Sequence, residues 1–297
     1  MIPRERVEYS AIIDRPPLKL PGGARVVVWS IVNLEVWEIA RPMPRQTLSP
    51  PTGVSLLPDV PNWSWHEYGM RVGVWRFFEL FERLKIRPTL SINARVCEDY
   101  KRVADQAKQA GWEFMGHAYD QMPMHKHDDQ AGMIKRSMDL LERFTGKRPV
   151  GWLGPGLTQT LDTPELLADA GIKYIGDWVY DDEPTTIETA KGPLVTLPYS
   201  VELNDIPMMI VQHHESDYLL RRAVDQFERL YAEGETRPKI MALAIHPYIS
   251  GVPHRIKYLE KIYEYVNSFK GVLHWNGAEI LDWYLSTQGG RGRKAAE

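Results

Sequence analysis

One cysteine, Cys97, stands in 297 residues. A single thiol rules out a disulfide within the chain and a zinc centre built on cysteines. No apolar run approaches the roughly 18 residues of a membrane span. The opening stretch MIPRERVEYS lacks the apolar core of a secretory signal. An excess of charge of either sign is missing too: 36 Lys and Arg face 39 Asp and Glu, a net of −3, with no basic block to mark a nucleic acid or an anionic membrane as partner. The short basic cluster from Arg291 to Lys294 reads as part of a solvated tail over 287–297. These absences lead to the expectation of a cytoplasmic protein that engages neither nucleic acid nor membrane. Aromatics, by contrast, are plentiful, with 10 Trp and 14 Tyr. Most belong in a core, and some suit a pocket or a contact between subunits.

The most informative stretch is Val26 to Val32, seven β-rich and mostly apolar residues after a Pro-Gly-Gly turn. It reads as a strand buried on both faces, as in a parallel sheet, and Asn33-Leu34-Glu35 follows directly. Further strands are expected at 89–93, 112–115, 150–153, 174–176, 240–245 and 272–275, with weaker candidates at 194–197 and 208–211. Helices are expected at 73–85, 99–110, 128–144, from Thr163 to Ala170, and at 218–232, 255–269 and 278–285. Residues 1–24 form an irregular arm, and the proline-rich stretch 41–62 reads as a long functional loop. Strand and helix alternate from 25 to 286. That is the pattern of an α/β chain with parallel strands and right-handed crossovers, most simply a single closed or nearly closed β/α barrel domain.

In such folds chemistry sits at the carboxyl ends of the strands. Glu35 is placed there to bind a metal or act as a general base, and Asn33 points to the same side of the extended chain to hold a carbonyl or a water. His117 closes the strand at 112–115. His246 follows the most apolar strand, where an imidazole can protonate a departing nitrogen. Asp177 ends another strand and can orient a histidine or accept a substrate N–H. His125 and His127 suit a surface or lid. Of His213, His214 and Glu215, adjacent positions point oppositely, so at most one of neighbouring residues faces a site. His254 belongs at a helix start; His66 and His274 carry no specific signal.

Four stretches, in order, carry a family resemblance: Tyr68 to Arg76, Gly111 to His117, Leu197-Pro198-Tyr199 with Asn204-Asp205, and His246 to Ile256. The chain resembles the polysaccharide deacetylase superfamily (NodB homology, carbohydrate esterase family four) over roughly residues 25 to 285, closest to its allantoinase and cyclic-imide-hydrolase-like branch. The resemblance implies a distorted seven- or eight-stranded β/α barrel. It also implies hydrolysis of carbon–nitrogen bonds other than peptide bonds, in a homodimer or homotetramer. In the family's deacetylases two aspartates follow the first strand, one a base and one a metal ligand; here Asn33 and Glu35 occupy those places. The second motif offers two zinc-binding histidines four apart; here His117 matches the first and Gln121 replaces the second. The third motif reads Trp152-Leu153-Gly154-Pro155-Gly156, without its usual Arg. The last keeps its general acid as His246.

A catalytic divalent metal wants about three firm ligands and an open position. Glu35 and His117 supply two and Gln121 is a neutral, weak third. The expected cofactor is therefore at most one weakly held divalent ion such as zinc, or none. The expected substrate is a small amide, cyclic ureide or imide, with Glu35 activating water and His246 protonating the departing nitrogen. Oxyanion donors would be Asn33 and a backbone N–H after Trp152. Trp152, Pro155, Asp177, Trp178, Tyr199, Asn204 and Trp275 are expected to bind or wall the substrate. Two alternatives stand beside this reading: a metal-dependent deacetylase of N-acetylated sugar or peptidoglycan, and an inactive barrel that binds a ligand.

Overall fold

The computed structural model describes residues 1–50 and 52–292, with side chains described as far as residue 287. Its strands are β1 (Val26–Leu34), β2 (Thr89–Ile92), β3 (Glu113–Gly116), β4 (Gly151–Trp152), β5 (Tyr174–Ile175), β6 (Thr185–Ile187), β7 (Leu194–Thr196), β8 (Lys239–Ile245) and β9 (Val272–His274). Helices α1 (Pro3–Arg6), α2 (Val60–Tyr68), α3 (Val74–Leu84), α4 (Val96–Asp99) and α5 (Lys101–Gln109) precede α6 (Gln130–Thr145), α7 (Thr163–Asp169), α8 (Tyr218–Glu233), α9 (Pro253–Asn267) and α10 (Gly277–Gly292). One curled sheet runs β6-β7-β5-β4-β3-β2-β1-β8, with β9 also on β1. All pairings are parallel except the short antiparallel β6–β7 pair. This is the expected distorted β/α barrel.

β1 is buried at every position, as a central parallel strand should be. β8 follows one edge of it from Val26 to Val32. The other edge is divided, with β9 pairing Val26–Val28 and β2 pairing Ile31–Leu34. At the opposite seam the sheet does not close by a ladder: one parallel bridge, Asn204 to Ala244, joins the segment after β7 to β8.

Alternation along the strands sorts two cores. Val27, Trp29 and Ile31 of β1 and Ile240, Ala242 and Ala244 of β8 pack inside the barrel with Met115, Leu153, Val195, Leu197 and Tyr199. Val26, Val28, Val32, Leu34, Met241, Leu243 and Ile245 pack outward with residues of the helices. Leu18, Leu20 and Ala24 from the arm join the inner cluster. Arg6 anchors the arm's start: it is buried, bonds Glu165 at 2.6 Å, and reaches the Glu188 and Leu161 carbonyls at 2.9 Å.

Three expectations are corrected. The helix expected at 73–85 is α3, but α2 precedes it from Val60, so 41–62 is not loop throughout. Asp59 caps α2, its carboxylate accepting from the Asn62 N–H, and a wide π-turn, Gly69–Gly73, joins α2 to α3. Met208–Val211 is not a strand but part of a π-helical turn, Ile206–Val211. There the Asn204 side chain accepts from the Ile206 N–H at 3.0 Å and turns the chain away from the β8 edge. β6, unannounced by its Thr-Thr-Ile sequence, forms on the sheet edge. At the C-terminus α10 continues to Gly292; residues 293–297, with most of the basic cluster, lie outside the described residues.

Candidate active site

The inward parity of the strands continues past their ends. Asn33 and Glu35 prolong the Val27, Trp29 and Ile31 face, His117 prolongs Met115, Tyr199 prolongs Val195 and Leu197, and His246 prolongs Ala242 and Ala244. All five line a cavity of about 850 Å3 at the carboxyl ends of the strands. Its walls come from Pro42, Pro44 and Arg45, from Met122 and Pro123, and from Gly154 to Thr158.

Glu35 is buried and fully engaged. Its Oε1 accepts from Gln121 Nε2 at 2.9 Å and faces His246 Nε2 at 3.5 Å. Its Oε2 accepts from Trp37 Nε1 at 2.8 Å and from the Tyr248 hydroxyl at 3.2 Å. Burial would raise its pKa, but the hydrogen bond and charge of His246, aided by His117 and His66, hold it at about 2. His246 is gripped from behind. Asp205 Oδ1 lies 2.6 Å from Nδ1, and Asp205 Oδ2 accepts the His246 backbone N–H at 2.8 Å and the Ser250 hydroxyl at 2.7 Å. Burial opposes charge on this ring; Asp205, and then Glu35, overcome it and push the pKa up to about 9. The ring is therefore an imidazolium at neutral pH, with one N–H on Asp205 and the other toward Glu35.

His117 is the opposite case. Burial lowers its pKa, and the nearby Glu35 and the Leu153 carbonyl only partly offset that. Its Nδ1 lies 2.6 Å from the Leu153 carbonyl oxygen. A carbonyl only accepts, so Nδ1 carries the proton and Nε2 keeps a lone pair. Asn93 holds the strand tops together. It accepts from the Val36 N–H at 2.8 Å, donates to the His117 carbonyl, and reaches Gln121 Oε1 at 3.3 Å.

The remaining expected residues divide. Asn204 and Pro155 line the cavity, and Asn204 Nδ2 donates to the Tyr199 hydroxyl at 3.1 Å. Trp152 does not reach the cavity; it is buried in the outer core, because it alternates with the inward Leu153. The N–H groups that follow it are used, Leu153 N on the Gly116 carbonyl at 2.8 Å and Gly154 N on Asp177 Oδ1 at 2.6 Å. That carboxylate also accepts from Gln159, and burial raises its pKa to about 7. Asp177 and Trp178 line a separate recess of 260 Å3 beside the arm. Trp275 lies tilted against Trp283, ring centroids 5.9 Å apart, beside the inner core. His125, His127, His213, His214 and His254 are not among the cavity residues.

Sequence reasoning gave no role to Asp205, Trp37, Tyr248 and Arg45. Trp37 and Tyr248 each follow a site residue by two positions, the one local sign available. Asp205 reaches His246 across 41 residues, which no spacing rule reveals. His66, without signal in the sequence, is buried and stacks on Trp37 with centroids 4.5 Å apart.

The expected metal set does not suit a divalent ion. Both Glu35 oxygens are taken up by donors, and Gln121 turns its amide N–H, not its oxygen, toward Glu35. Among the described residues no cluster of three His, Cys, Asp or Glu side chains could hold a metal. Of the three expected ligands, His117 Nε2 accepts no hydrogen bond among the described residues, while the neutral Gln121 Oε1 is met by Asn93 Nδ2 at 3.3 Å.

The fold is a β/α barrel with a polar cavity at the carboxyl ends of its strands. Residues 65–175 match the polysaccharide deacetylase family model. A Schizosaccharomyces pombe protein named as a polysaccharide deacetylase is 28% identical over 231 residues, 69% of this chain and 70% of that protein. The peptidoglycan deacetylase of Helicobacter pylori is 25% identical over 251 residues, 72% of this chain and 84% of the relative. The crystal structure of PuuE allantoinase superposes with a TM-score of 0.83 at 26% identity, covering 95% of this chain and 99% of its own. Residues 65–175 thus carry a polysaccharide deacetylase domain, and the chain is similar over most of its length to hydrolases of the deacetylase and allantoinase type, which act on carbon–nitrogen bonds other than peptide bonds.

Proposed function

We propose that this protein hydrolyses a small amide, cyclic ureide or imide, with His246 as general acid and His117 as the base that activates water. The observation that carries the reading is the opposed protonation of the two imidazoles. His246 is held charged by Asp205 and Glu35, while His117 is held neutral with its Nε2 lone pair toward the cavity. A pair of groups whose surroundings push their pKa values apart supplies acid and base to one reaction. Glu35 had been expected to be the base. A carboxylate held near 2 and already accepting from its neighbours is a poor proton acceptor at neutral pH. In this mechanism Glu35 keeps His246 charged and fixes its Nε2.

Water approaching the substrate carbonyl gives its proton to His117 Nε2 as the C–O bond forms. The negative charge that develops on the carbonyl oxygen meets Asn33 Nδ2 and the Tyr199 hydroxyl, which accepts from Asn204 and so keeps its own proton for donation. Breakdown breaks the C–N bond, and His246 Nε2–H passes to the departing nitrogen. The cavity volume, about 850 Å3, matches a small-molecule site. Tyr199 is the one aromatic among its lining residues, which leaves no platform for a row of sugar rings. The allantoinase neighbour favours the ureide branch; the peptidoglycan deacetylase relative favours an N-acetyl sugar as the second reading.

The test is turnover of hydantoin, allantoin, succinimide and N-acetylated chitooligosaccharide before and after exhaustive chelation. Chelator-resistant ring opening is expected. Deacetylation of the oligosaccharide that vanishes with chelator and returns with zinc would replace this reading by the metal-dependent one.

A further inference from the structure

The cavity contains a cation without a counter-ion. Besides the two histidines its charged lining is Glu35, Glu38, Arg41, Arg45 and Lys126. Glu35 is occupied as described. Glu38 is paired with Arg95 at 3.0 Å, and Arg41 with Asp120 at 3.0 Å. Lys126 forms no ion pair among the described residues, but it is exposed and free to be neutralised by solvent. Arg45 differs. It is half-buried and forms no ion pair among the described residues. Its Nη1 donates to the Pro44 carbonyl at 3.0 Å, and its Nε is buried with no hydrogen-bond partner.

A guanidinium has five N–H donors, and leaving charged donors unmet away from water is costly. Such a group is stable when a ligand completes it. The backbone that presents Arg45 is pinned on both sides. Before it, Met43 sits in the outer core. After it, the buried Asn62 of α2 accepts from the N–H groups of Thr47 at 2.8 Å and Leu48 at 3.0 Å, and donates to the Leu48 carbonyl at 2.9 Å. Arg45 lines the same cavity as Glu35, His117 and His246.

We propose that Arg45 is a specificity residue that receives a carboxylate of the substrate, so that the cavity selects an anionic amide, ureide or imide over its neutral analogue. The planar fork of the guanidinium matches two carboxylate oxygens, and the unpaired Lys126 at the cavity wall adds a field of the same sign. The inference rests on the reading of this cavity as the substrate site and narrows its substrate class.

Two measurements test it. The first needs no turnover: titration of the intact protein with malonate, followed by calorimetry, beside Arg45→Gln and Arg45→Lys. Saturable binding to the unaltered protein is expected. It should weaken about tenfold or more in Arg45→Gln, the worth of one charge-assisted hydrogen bond, and less in Arg45→Lys. The second compares kcat/KM for hydantoin-5-acetate and hydantoin, a pair differing by a carboxylate; the ratio should favour the acid and fall by a similar factor in Arg45→Gln. Absence of saturable malonate binding, equal binding to Arg45→Gln, or tighter binding of inorganic phosphate than of malonate would overturn the carboxylate assignment whatever the protein hydrolyses. If malonate binds through Arg45 but no ureide, imide or amide is opened, the anion site stands and the proposed reaction fails.

Discussion

Asp205 holds His246 at two points, Oδ1 at 2.6 Å from the ring Nδ1 and Oδ2 at 2.8 Å from the backbone nitrogen. The double contact fixes both the ring's orientation and its charge, and it leaves Nε2 aimed at Glu35 3.5 Å away. The folded-state pKa, about 9, lies above the ordinary 6.5. The stabilisation linked to this proton is therefore complete below about 6.5 and is lost as pH rises through about 9. The acid should stay loaded over the same range. Asp205→Asn removes the strongest support for the charge, so the alkaline limb of the kcat profile should move to lower pH. Turnover at neutral pH should fall on the order of 10²-fold or more. A pH–rate profile of the two proteins checks this; an unmoved alkaline limb would detach Asp205 from the acid.

Glu35 and His117 should fail in different ways. His117→Gln removes the proposed base, so kcat should drop on the order of 10²–10⁴-fold at every pH. Glu35→Gln leaves that base in place but takes away a charge that supports His246, so its loss should be largest on the alkaline side. The carboxylate, held near 2, also contributes stability that is present above pH 4.5 and lost as pH falls through about 2. Denaturation of wild type and Glu35→Gln at several pH values should show their difference shrinking in acid. If instead Glu35→Gln abolished turnover uniformly with pH, and His117→Gln did not, Glu35 would be the base after all.

Gly73 packs α3 directly on the segment that carries His246. A Cβ built there would lie 2.1 Å from the Pro247 carbonyl oxygen, and one on Gly69 would lie 2.6 Å from the Tyr248 nitrogen. Both obstacles are backbone atoms. Gly73→Ala should therefore destabilise the fold by about 1–3 kcal/mol, as overpacking does, and should lower kcat by displacing His246. Urea midpoints measured beside kcat in Gly73→Ala and Gly69→Ala test the link; normal values for both would mean the two segments are not in tight register.

Much of this is legible in the sequence alone. The β-rich, mostly apolar run of β1 announced a strand buried on both faces, and its parity carried Asn33 and Glu35 inward because side chains alternate every residue. The same rule placed His117 and His246. It faltered where the element was only two residues long: the inward residue is Leu153, just past β4, so Trp152, expected at the substrate, faces the helices. Local propensity also misled at Met208–Val211, where Asn204 and a long-range contact turn a β-rich stretch into a helical turn.

The sequence by itself determined the barrel and the identity of the residues that crown its strands, since burial pattern and alternation are local properties. Only the tertiary structure decided what those residues do. It surrounded Glu35 with donors from Trp37, Gln121 and Tyr248, set Asp205 behind His246, turned the His117 Nδ1 to the Leu153 carbonyl, and left the buried Arg45 Nε without a hydrogen-bond partner among the described residues. Protonation state and metal affinity depend on charges and donors within a few ångströms, and in a barrel those neighbours come from strands and loops far apart in the chain.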